Sequence, residues 1–235
     1  YTKSIIESAK RKLALNVHEP IKPTGLRRTY PNMMTREGVR GQEYNAWSDG
    51  NDPQHTTILP FTRMLAGPLD FTPGVFDVWF KGEDDSSRIR TTVAKQLALM
   101  VVLYSPLQMA ADLPRNYLKR MDVFKFIKDL GTDWENSITL DGKIGDYIVI
   151  AREEKHTGSW FIGGITDENQ RSYDLDFSFL PEGNFQATIY SDGDNANWEY
   201  NPFPVNISGQ SVNSNSKITI DMASGGGFAI SLIKE

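Results

Sequence analysis

Two glutamates, Glu37 and Glu43, lie in the segment TREGVRGQEYNAWSDG, with a glycine after the first and another before the second. On a straight strand their side chains would share one face but stand about 20 Å apart. On a helix they would point in clearly different directions. They can therefore share a site only if the backbone turns between them, and Gly38 and Gly41 are the residues that permit such a turn.

The loop that carries these glutamates also contains two aromatic residues, Tyr44 and Trp47. An acid beside an aromatic ring is typical of a sugar site, where the carboxylic acid protonates the glycosidic oxygen and the ring stacks on the pyranose. The alternative is a pair of solvated carboxylates with Arg36 and Arg40 as surface partners. Long loops inside compact domains are more often functional, which favours the sugar site.

A second candidate is the segment NVHEPIKPTGLRRTYPN, in which His18 and Glu19 are adjacent. On a regular strand they would face opposite ways, whereas at a bent strand end both could reach the mouth of a site. The alternative is a strand end followed by a proline-rich loop that needs only generic polar residues. Three further polar residues are candidates for catalysis: His55, Asp70 and Asp112. Helix capping explains them equally well.

Short apolar segments alternate with helical patterns up to about residue 130. Helices are predicted over 1–12, 90–104 and 115–130, and strands over 12–20, 29–35, 63–71 and 106–112. Such alternation indicates parallel βα units, and the strand candidates end in or near acidic residues. In a (β/α)8 barrel the carboxyl ends of the strands build the active site. Four strands supply half of such a barrel, although an open doubly wound sheet would gather residues in the same way.

From residue 137 the chain contains alternating or aromatic segments that are separated by turns rich in Gly, Asn, Asp and Pro. These segments are DYIVIARE, GSWFIGGI, SYDLDFSF, FQATIYSD, KITIDM and GFAISLIK. This pattern predicts an antiparallel β-sandwich of seven or eight strands. The expected fold class is therefore α/β plus all-β, with one domain over 1–133 and a C-terminal β-sandwich domain over 134–235.

The composition narrows the classes of partner. A net charge of −5 and a pI near 5.3 argue against nucleic acid. Absence of cysteine excludes disulfides and thiol catalysis, and no apolar run is long enough for a membrane span. The sequence begins without Met or a signal-peptide layout, so we expect it to be a fragment.

Three long motifs carry a family resemblance: NVHEPIKPTGLRRTYPNMMTREGVRGQEYN, HTTILPFTRMLAGPLDFTPGVF and SPLQMAADLPRNY. In this order they resemble glycoside hydrolase family 97, the α-glucosidases and α-galactosidases common in Bacteroidetes. The resemblance covers essentially the whole chain. It implies the C-terminal half of a (β/α)8 TIM barrel followed by the family's C-terminal β domain.

The resemblance also implies roles for the candidate residues. Glu43 would be the general acid, Glu37 a Ca²⁺ ligand, and Glu19 a Ca²⁺ ligand that also serves as a base in inverting members. His18 would contact the sugar, with Tyr44 and Trp47 beside it. A general acid needs a raised pKa, so Glu43 is expected to stand some distance from the metal.

The resemblance implies an oligosaccharide as substrate, N-terminal domains of the same protein as partners, and a periplasmic or secreted location. The segment NAWSDGNDPQHTT resembles the retaining α-galactosidase-like members slightly more than the α-glucosidases. Two rivals stay open: a fragment that is active only when complemented, and a non-catalytic carbohydrate-binding protein or pseudoenzyme. The second would bind glycan through exposed Trp160 and Trp198.

Overall fold

The computed structural model of the protein describes residues 1–18, 22, 24–82 and 87–235. The α-helices are α1 (Thr2–Lys10), α2 (Leu26–Thr29), α3 (Pro53–Ile58), α4 (Val93–Val102), α5 (Pro114–Leu118) and α6 (Met121–Asp129). The strands are β1 (Leu15–Val17), β2 (Met33–Arg36), β3 (Trp134–Lys143), β4 (Tyr147–Glu154), β5 (Trp160–Thr166), β6 (Arg171–Asp176), β7 (Phe185–Asp192), β8 (Val205–Val212), β9 (Lys217–Met222) and β10 (Gly227–Lys234). Within the described ranges, no helix is long and apolar enough to cross a membrane.

The N-terminal part places four successive chain segments side by side. β1 pairs with β2 in parallel, and Arg36 at the end of β2 forms a parallel bridge with Leu69. The Leu69 amide then donates to the Tyr104 carbonyl over 3.0 Å. Parallel neighbours in chain order are what the predicted βα units require. Closure of these segments into a (β/α)8 barrel stays a prediction.

Two of the predicted strands are wrong. Residues 106–112 form bends and irregular chain, in which single contacts replace a strand ladder: Ser105 Oγ donates to the Leu107 carbonyl and the Ala111 amide to that of Pro73. Residues 63–71 contribute only the Leu69 bridge. They begin as a 3₁₀ helix, Arg63–Ala66, and Gly67 then takes a positive φ of 111° that ends the helix before Pro68.

The three helix predictions in this part are confirmed with changed boundaries. Helix α1 and helix α4 lie inside the predicted ranges of 1–12 and 90–104. The closing helix predicted over 115–130 is two helices, α5 and α6, separated by a turn at residues 119–120.

The C-terminal part contains the eight strands β3 to β10, within the predicted number. Six of them form an antiparallel sheet in the order β3-β4-β5-β10-β7-β8, and β6 pairs with β9 in a separate two-stranded sheet. The hydrophobic core between the two sheets includes Phe185 and Phe228 from the large sheet and Leu175 and Met222 from the small one. The arrangement is that of a sandwich with one small layer.

Trp160 belongs to this core. Its side chain is 3% exposed, and its ring packs against Phe179 with the centroids 5.2 Å apart. The expectation that Trp160 is an exposed glycan-binding residue is therefore wrong. On a strand that is buried on both faces, a tryptophan fills the core, and the alternation of the sequence cannot reveal this.

Helix α4 covers the other face of the six-stranded sheet, and all ten of its residues are buried. Its apolar residues Leu99 and Val102 pack against Ile148 and Ile165 of the sheet. Arg152 of β4 donates from Nε to the Val101 carbonyl at the C-terminal end of the helix, over 2.7 Å. A guanidinium at this end satisfies an open carbonyl and complements the helix dipole.

Lys95 on α4 joins the two parts of the chain. Its Nζ donates to the Pro53 carbonyl over 2.9 Å and to the Thr166 carbonyl over 2.7 Å. Burial lowers the pKa of Lys95 to about 7, against the pull of the acidic residues Glu168, Asp192 and Asp167. A neutral amine has two N–H donors, which matches its two carbonyl partners.

We predict that Lys95 makes stability rise with pH. The pKa is 10.5 in the unfolded chain and about 7 in the folded one, so between these values the unfolded state binds more protons. The free energy of unfolding should therefore increase from pH 7 to 9, by at most about 1.4 kcal/mol per pH unit. Urea unfolding followed by tryptophan fluorescence at pH 7, 8 and 9 measures this slope.

Lys95→Met should flatten the slope, whereas the exposed Lys119→Met should keep it. Equal slopes in the two variants would contradict the assignment to Lys95.

Candidate functional site

The backbone turns between the two glutamates as the sequence requires. Glu37 directly follows β2, and Gly38 then adopts a left-handed φ of 64°. The chain reverses and enters a 3₁₀ helix, Gln42–Ala46, whose first turn carries Glu43. Because a residue with a side chain is strained at this φ, Gly38 is the position at which the turn depends on glycine.

His18 lies between the two glutamates. It follows β1, and its Nδ1 is 3.7 Å from Glu37 Oε2 and 3.8 Å from Glu43 Oε2. Its other ring nitrogen, Nε2, is 2.7 Å from Asp70 Oδ2. Three carboxylates, two from the loop after β2 and one from the segment after Leu69, therefore converge on one imidazole.

The pKa of His18 is raised as a result. Partial burial acts in the opposite direction, but it is outweighed by the hydrogen bond to Asp70 and by the charges of Glu37, Asp70 and Glu43. Nearby negative charges stabilise the imidazolium, in which both ring nitrogens carry a proton.

Asp70 is the buried member of the group, with 1% of its surface exposed. Its Oδ2 accepts a hydrogen bond from Asn16 Nδ2 over 2.5 Å as well as facing the imidazole. Its backbone amide donates to the Arg36 carbonyl over 3.0 Å. Within the described part of the chain, the Asp70 side chain therefore binds Asn16 of β1 and His18 after it, and it does not act as a helix cap.

Asp112 lies directly before the N-cap residue of α5, but its side chain does not cap the helix. Its Oδ1 accepts from the Leu113 amide, directly before α5, and from the Asn116 side chain. Its Oδ2 accepts from the amides of Phe76 and Asp77. All these contacts organise loops, which is a structural role.

Glu37, Glu43 and His18 form a group that could hold a metal ion, since one ligand atom from each lies within 4.8 Å of the others. Ca²⁺ takes six to eight oxygen ligands, and the two carboxylates are suitable donors. The histidine nitrogen is not a usual Ca²⁺ ligand. Glu19, the other expected ligand, lies outside the described residues.

The two carboxylates stand closer together than the expected separation of acid and metal suggests. Their exposure separates them instead: the Glu37 side chain is 14% exposed and that of Glu43 is 69% exposed. The less exposed carboxylate, Glu37, is the better placed to hold an ion, and the exposed Glu43 to meet a substrate.

A cleft of about 540 Å³ opens beside Glu43. It lies among the loops that follow β2, Leu69 and α4, and the volume is within the usual range for small-molecule sites. Its walls are apolar at Val75, Phe80, Ile89 and Met109 and polar at Asp77, Asp112, Arg115 and Asn116. Glu43 is therefore at the edge of a space large enough for a sugar.

Tyr44 and Trp47 do not line this cleft. Trp47 is 72% exposed and packs edge-to-face on Tyr44 with the centroids 5.0 Å apart. The Arg40 guanidinium lies over the Tyr44 ring. Their role in binding sugar stays a prediction.

Buried polar side chains hold the Glu43 loop in place. Asn51 donates from Nδ2 to the carbonyls of Arg40 and Gly41, and His55 contacts the Arg40 carbonyl through Nε2 at 2.9 Å. Gln42, next to Glu43, donates to Gln96 of α4 over 2.7 Å. Burial lowers the pKa of His55, in keeping with a neutral structural histidine.

Arg63 fixes the backbone at Glu37 through hydrogen bonds. Its Nε donates to the Glu37 carbonyl and its Nη2 to the Arg36 carbonyl. Burial lowers the pKa of Arg63 to about 10, and the charges of Arg36 and Arg27 act in the same direction. The guanidinium is still charged at neutral pH and fixes the backbone on which Glu37 stands.

Asp70, Asn16, Gln96 and Arg63 are the supporting residues that motif reasoning did not single out for these roles. A polar residue at a predicted strand end was the available signal for Asp70. A second concave surface of about 600 Å³ lies in the β-sheet part near Arg171, Tyr200 and Asp221. It contains none of the predicted site residues.

Comparison with known proteins gives matches at both ends of the chain. The profile described as "Glycosyl-hydrolase 97 C-terminal, oligomerisation" matches residues 133–233, and the profile "Glycoside hydrolase 97" matches residues 1–39. A retaining alpha-galactosidase of Bacteroides thetaiotaomicron is 38% identical over 235 residues, which cover 95% of this chain and 34% of the relative.

Solved structures give the same result. A glycoside hydrolase family 97 enzyme from Pseudoalteromonas sp. strain K8, in complex with panose, is 52% identical with a TM-score of 0.96 over 100% of this chain and 37% of its own. The same enzyme has also been solved in complex with acarbose. A beta-arabinopyranosidase, 23% identical over 97% of this chain and 35% of its own with a TM-score of 0.81, shares the fold. The chain spans about a third of the length of these relatives, and it belongs to glycoside hydrolase family 97.

Proposed function

We propose that the chain is the C-terminal half of the catalytic (β/α)8 barrel, with the C-terminal β domain, of a calcium-dependent α-glycosidase. The enzyme removes terminal α-linked sugars from oligosaccharides. The observation that carries this proposal is the convergence of Glu37, Glu43 and His18 on one point beside a cleft. These residues follow two neighbouring parallel strands, and that is where barrel enzymes place their catalytic groups.

Glu43 is the general acid in this proposal. It is exposed at the edge of the cleft, so its proton can reach the glycosidic oxygen as the bond to the anomeric carbon breaks. The imidazole of His18 beside it is held for contact with the sugar. Val75, Phe80 and Met109 give the cleft apolar surface that a sugar ring can contact.

Glu37 is the Ca²⁺ ligand in this proposal, together with Glu19. A bound Ca²⁺ would position and polarise a substrate hydroxyl. The backbone of Glu37 is fixed by Arg63, and its carboxylate lies directly over Gly41, where a Cβ atom would come within 2.6 Å of Oε1. Gly41 therefore leaves the space that this carboxylate occupies.

A second carboxylate is needed to complete the reaction, as base in an inverting enzyme or as nucleophile in a retaining one. We assign it to the N-terminal portion of the parent protein, which supplies the rest of the barrel. The relative named as a retaining alpha-galactosidase favours the retaining course. A periplasmic or secreted location stays part of the proposal.

The relatives favour two different sugars. The 52% identical enzyme was solved with panose, a trisaccharide of α-linked glucose. The 38% identical relative is named as an alpha-galactosidase, the activity that the segment NAWSDGNDPQHTT also favours. Because the first similarity is higher, we propose α-glucosides as the preferred substrates and keep α-galactosides as the second candidate.

Hydrolysis by the full-length parent protein tests the function. With Ca²⁺ it should release p-nitrophenol from the α-glucoside faster than from the α-galactoside, and a chelator should abolish both activities. The reversed order would change the sugar but keep the class. Absence of release from either compound, with Ca²⁺ present, would favour the non-catalytic carbohydrate-binding protein.

Glu43→Gln tests the role of the acid. Its kcat on an oligosaccharide such as panose should fall by about 10²–10⁴-fold, because a general acid contributes in this range. Glu182→Gln, an exposed change in a turn of the β domain, should leave kcat unchanged. An active Glu43→Gln variant would exclude Glu43 as the acid.

Gly41→Ala tests the metal assignment. The added methyl meets only the end of the Glu37 side chain, so the carboxylate should rotate away while the fold persists. Calorimetric titration of the parent protein should show Ca²⁺ affinity lowered about 10-fold, the scale of changes around metal ligands.

Gly209→Ala is the matched control, because its Cβ would meet nothing closer than 3.4 Å. If Ca²⁺ affinity is the same in both variants, Glu37 does not hold the metal.

A further inference from the structure

We propose that Asp70 is a positioning residue that fixes the ring of His18 through Nε2, so that Nδ1 faces Glu37 and Glu43. The inference rests on the proposed function and extends it to a residue that does not touch the substrate. Its evidence is the geometry of one carboxylate oxygen, Oδ2, which contacts both the Asn16 amide and the imidazole.

The two contacts to Oδ2 determine the orientation of the ring. An amide nitrogen can only donate, so Oδ2 accepts from Asn16 Nδ2. The imidazole meets the same oxygen at 2.7 Å through Nε2, and this contact places a proton on Nε2. The ring cannot flip without losing this bond, and Nδ1 is therefore the nitrogen that faces the glutamates.

Burial and backbone contacts make Asp70 a rigid anchor. It is 1% exposed whereas His18 is 34% exposed, so the anchor lies on the protein side and the ring on the solvent side. The Asp70 amide is held by the Arg36 carbonyl, and the neighbouring Leu69 amide by that of Tyr104. Asp70 therefore transmits the position of the strand ends to His18.

Asn16 keeps Asp70 in the required rotamer. It lies on β1, two residues before His18, so both side chains point to the same face of the chain. One oxygen thus joins Asn16 of β1 and His18 after it to the segment on the far side of β2, in the way that buried partners orient the ligands of metal sites. Removing the acceptor should release the His18 ring while leaving the strand pairing intact.

A double-mutant cycle in the full-length parent protein tests the proposal. Asp70→Ala should lower kcat/KM on the α-glucoside by about 10²-fold, the scale of a small misplacement of a catalytic group. In a His18→Ala background the same change should cost less than 3-fold, because the ring that Asp70 positions is gone. Asp70→Asn, which keeps an oxygen acceptor, should recover at least 10-fold over Asp70→Ala.

Asp167→Ala is the matched control, since Asp167 is also a buried aspartate but belongs to the β domain. It should leave kcat/KM unchanged in both backgrounds. If the loss from Asp70→Ala is the same with and without His18, Asp70 has only a structural role and the proposal is overturned.

Nuclear magnetic resonance of ¹⁵N-labelled histidines in the 235-residue chain gives a readout that is independent of activity. The chain has three histidines, so His18→Gln identifies the signal. The wild type should show a hydrogen-bonded proton on Nε2 of His18, and Asp70→Ala should lose it. A wild-type His18 protonated on Nδ1 alone would overturn the proposal.

An inactive wild-type parent with an intact Nε2 signal would instead overturn the proposed function and, with it, the catalytic purpose of the positioning.

Discussion

Helix α4 has no exposed face, and the rest of the structure depends on this burial. A fully buried helix must place any polar side chain against a hydrogen-bonding partner. Lys95 donates to the carbonyl of Pro53 in the N-terminal part and to that of Thr166 in the six-stranded sheet. The Gln96 Oε1 accepts from Gln42 and from the amides of Gly74 and Val75. The same helix therefore supports the six-stranded sheet, the loop that carries Glu43 and one wall of the cleft.

The site on this support separates its groups by exposure. His18 is surrounded by carboxylates of different burial, from Asp70 at 1% through Glu37 at 14% to Glu43 at 69% exposed. The three proposed roles require different exposure. An ionised carboxylate that anchors a side chain or binds an ion needs hydrogen-bonding or charged partners, whereas a proton donor must be accessible to the substrate. The exposure of the three carboxylates therefore increases from the protein interior towards the cleft.

The sequence was informative where a local rule decides the structure. The spacing of Glu37 and Glu43 around two glycines required a turn, and the structure has one at Gly38. Strands β4, β5, β6, β7, β9 and β10 follow the predicted segments. The two strands that no single segment predicted, β3 and β8, are the edges of the six-stranded sheet. Edge strands are more polar and exposed, so their alternation is weaker.

The features that the local sequence does not predict depend on tertiary contacts. Nothing in the sequence around Asp70 distinguishes a helix cap from a partner of His18, because Asn16 and His18 are far away in the chain. The predicted strand over 106–112 is absent because its backbone makes single contacts with other loops, and its apolar residues Met109 and Ala111 line the cleft. The burial of Trp160 does not follow from the local sequence, because both faces of β5 are covered by distant elements, α4 and the small sheet.

The central claim is that Glu43 donates a proton to the departing oxygen. The most direct test is the dependence of kcat/KM on the leaving-group pKa, across a series of aryl α-glycosides, for the full-length parent protein and its Glu43→Gln variant. Proton donation matters most for the poorest leaving groups. The account predicts a shallow dependence for the wild type and a steep one for the variant, with little loss on the most acidic phenol. Parallel dependences in the two proteins would contradict it.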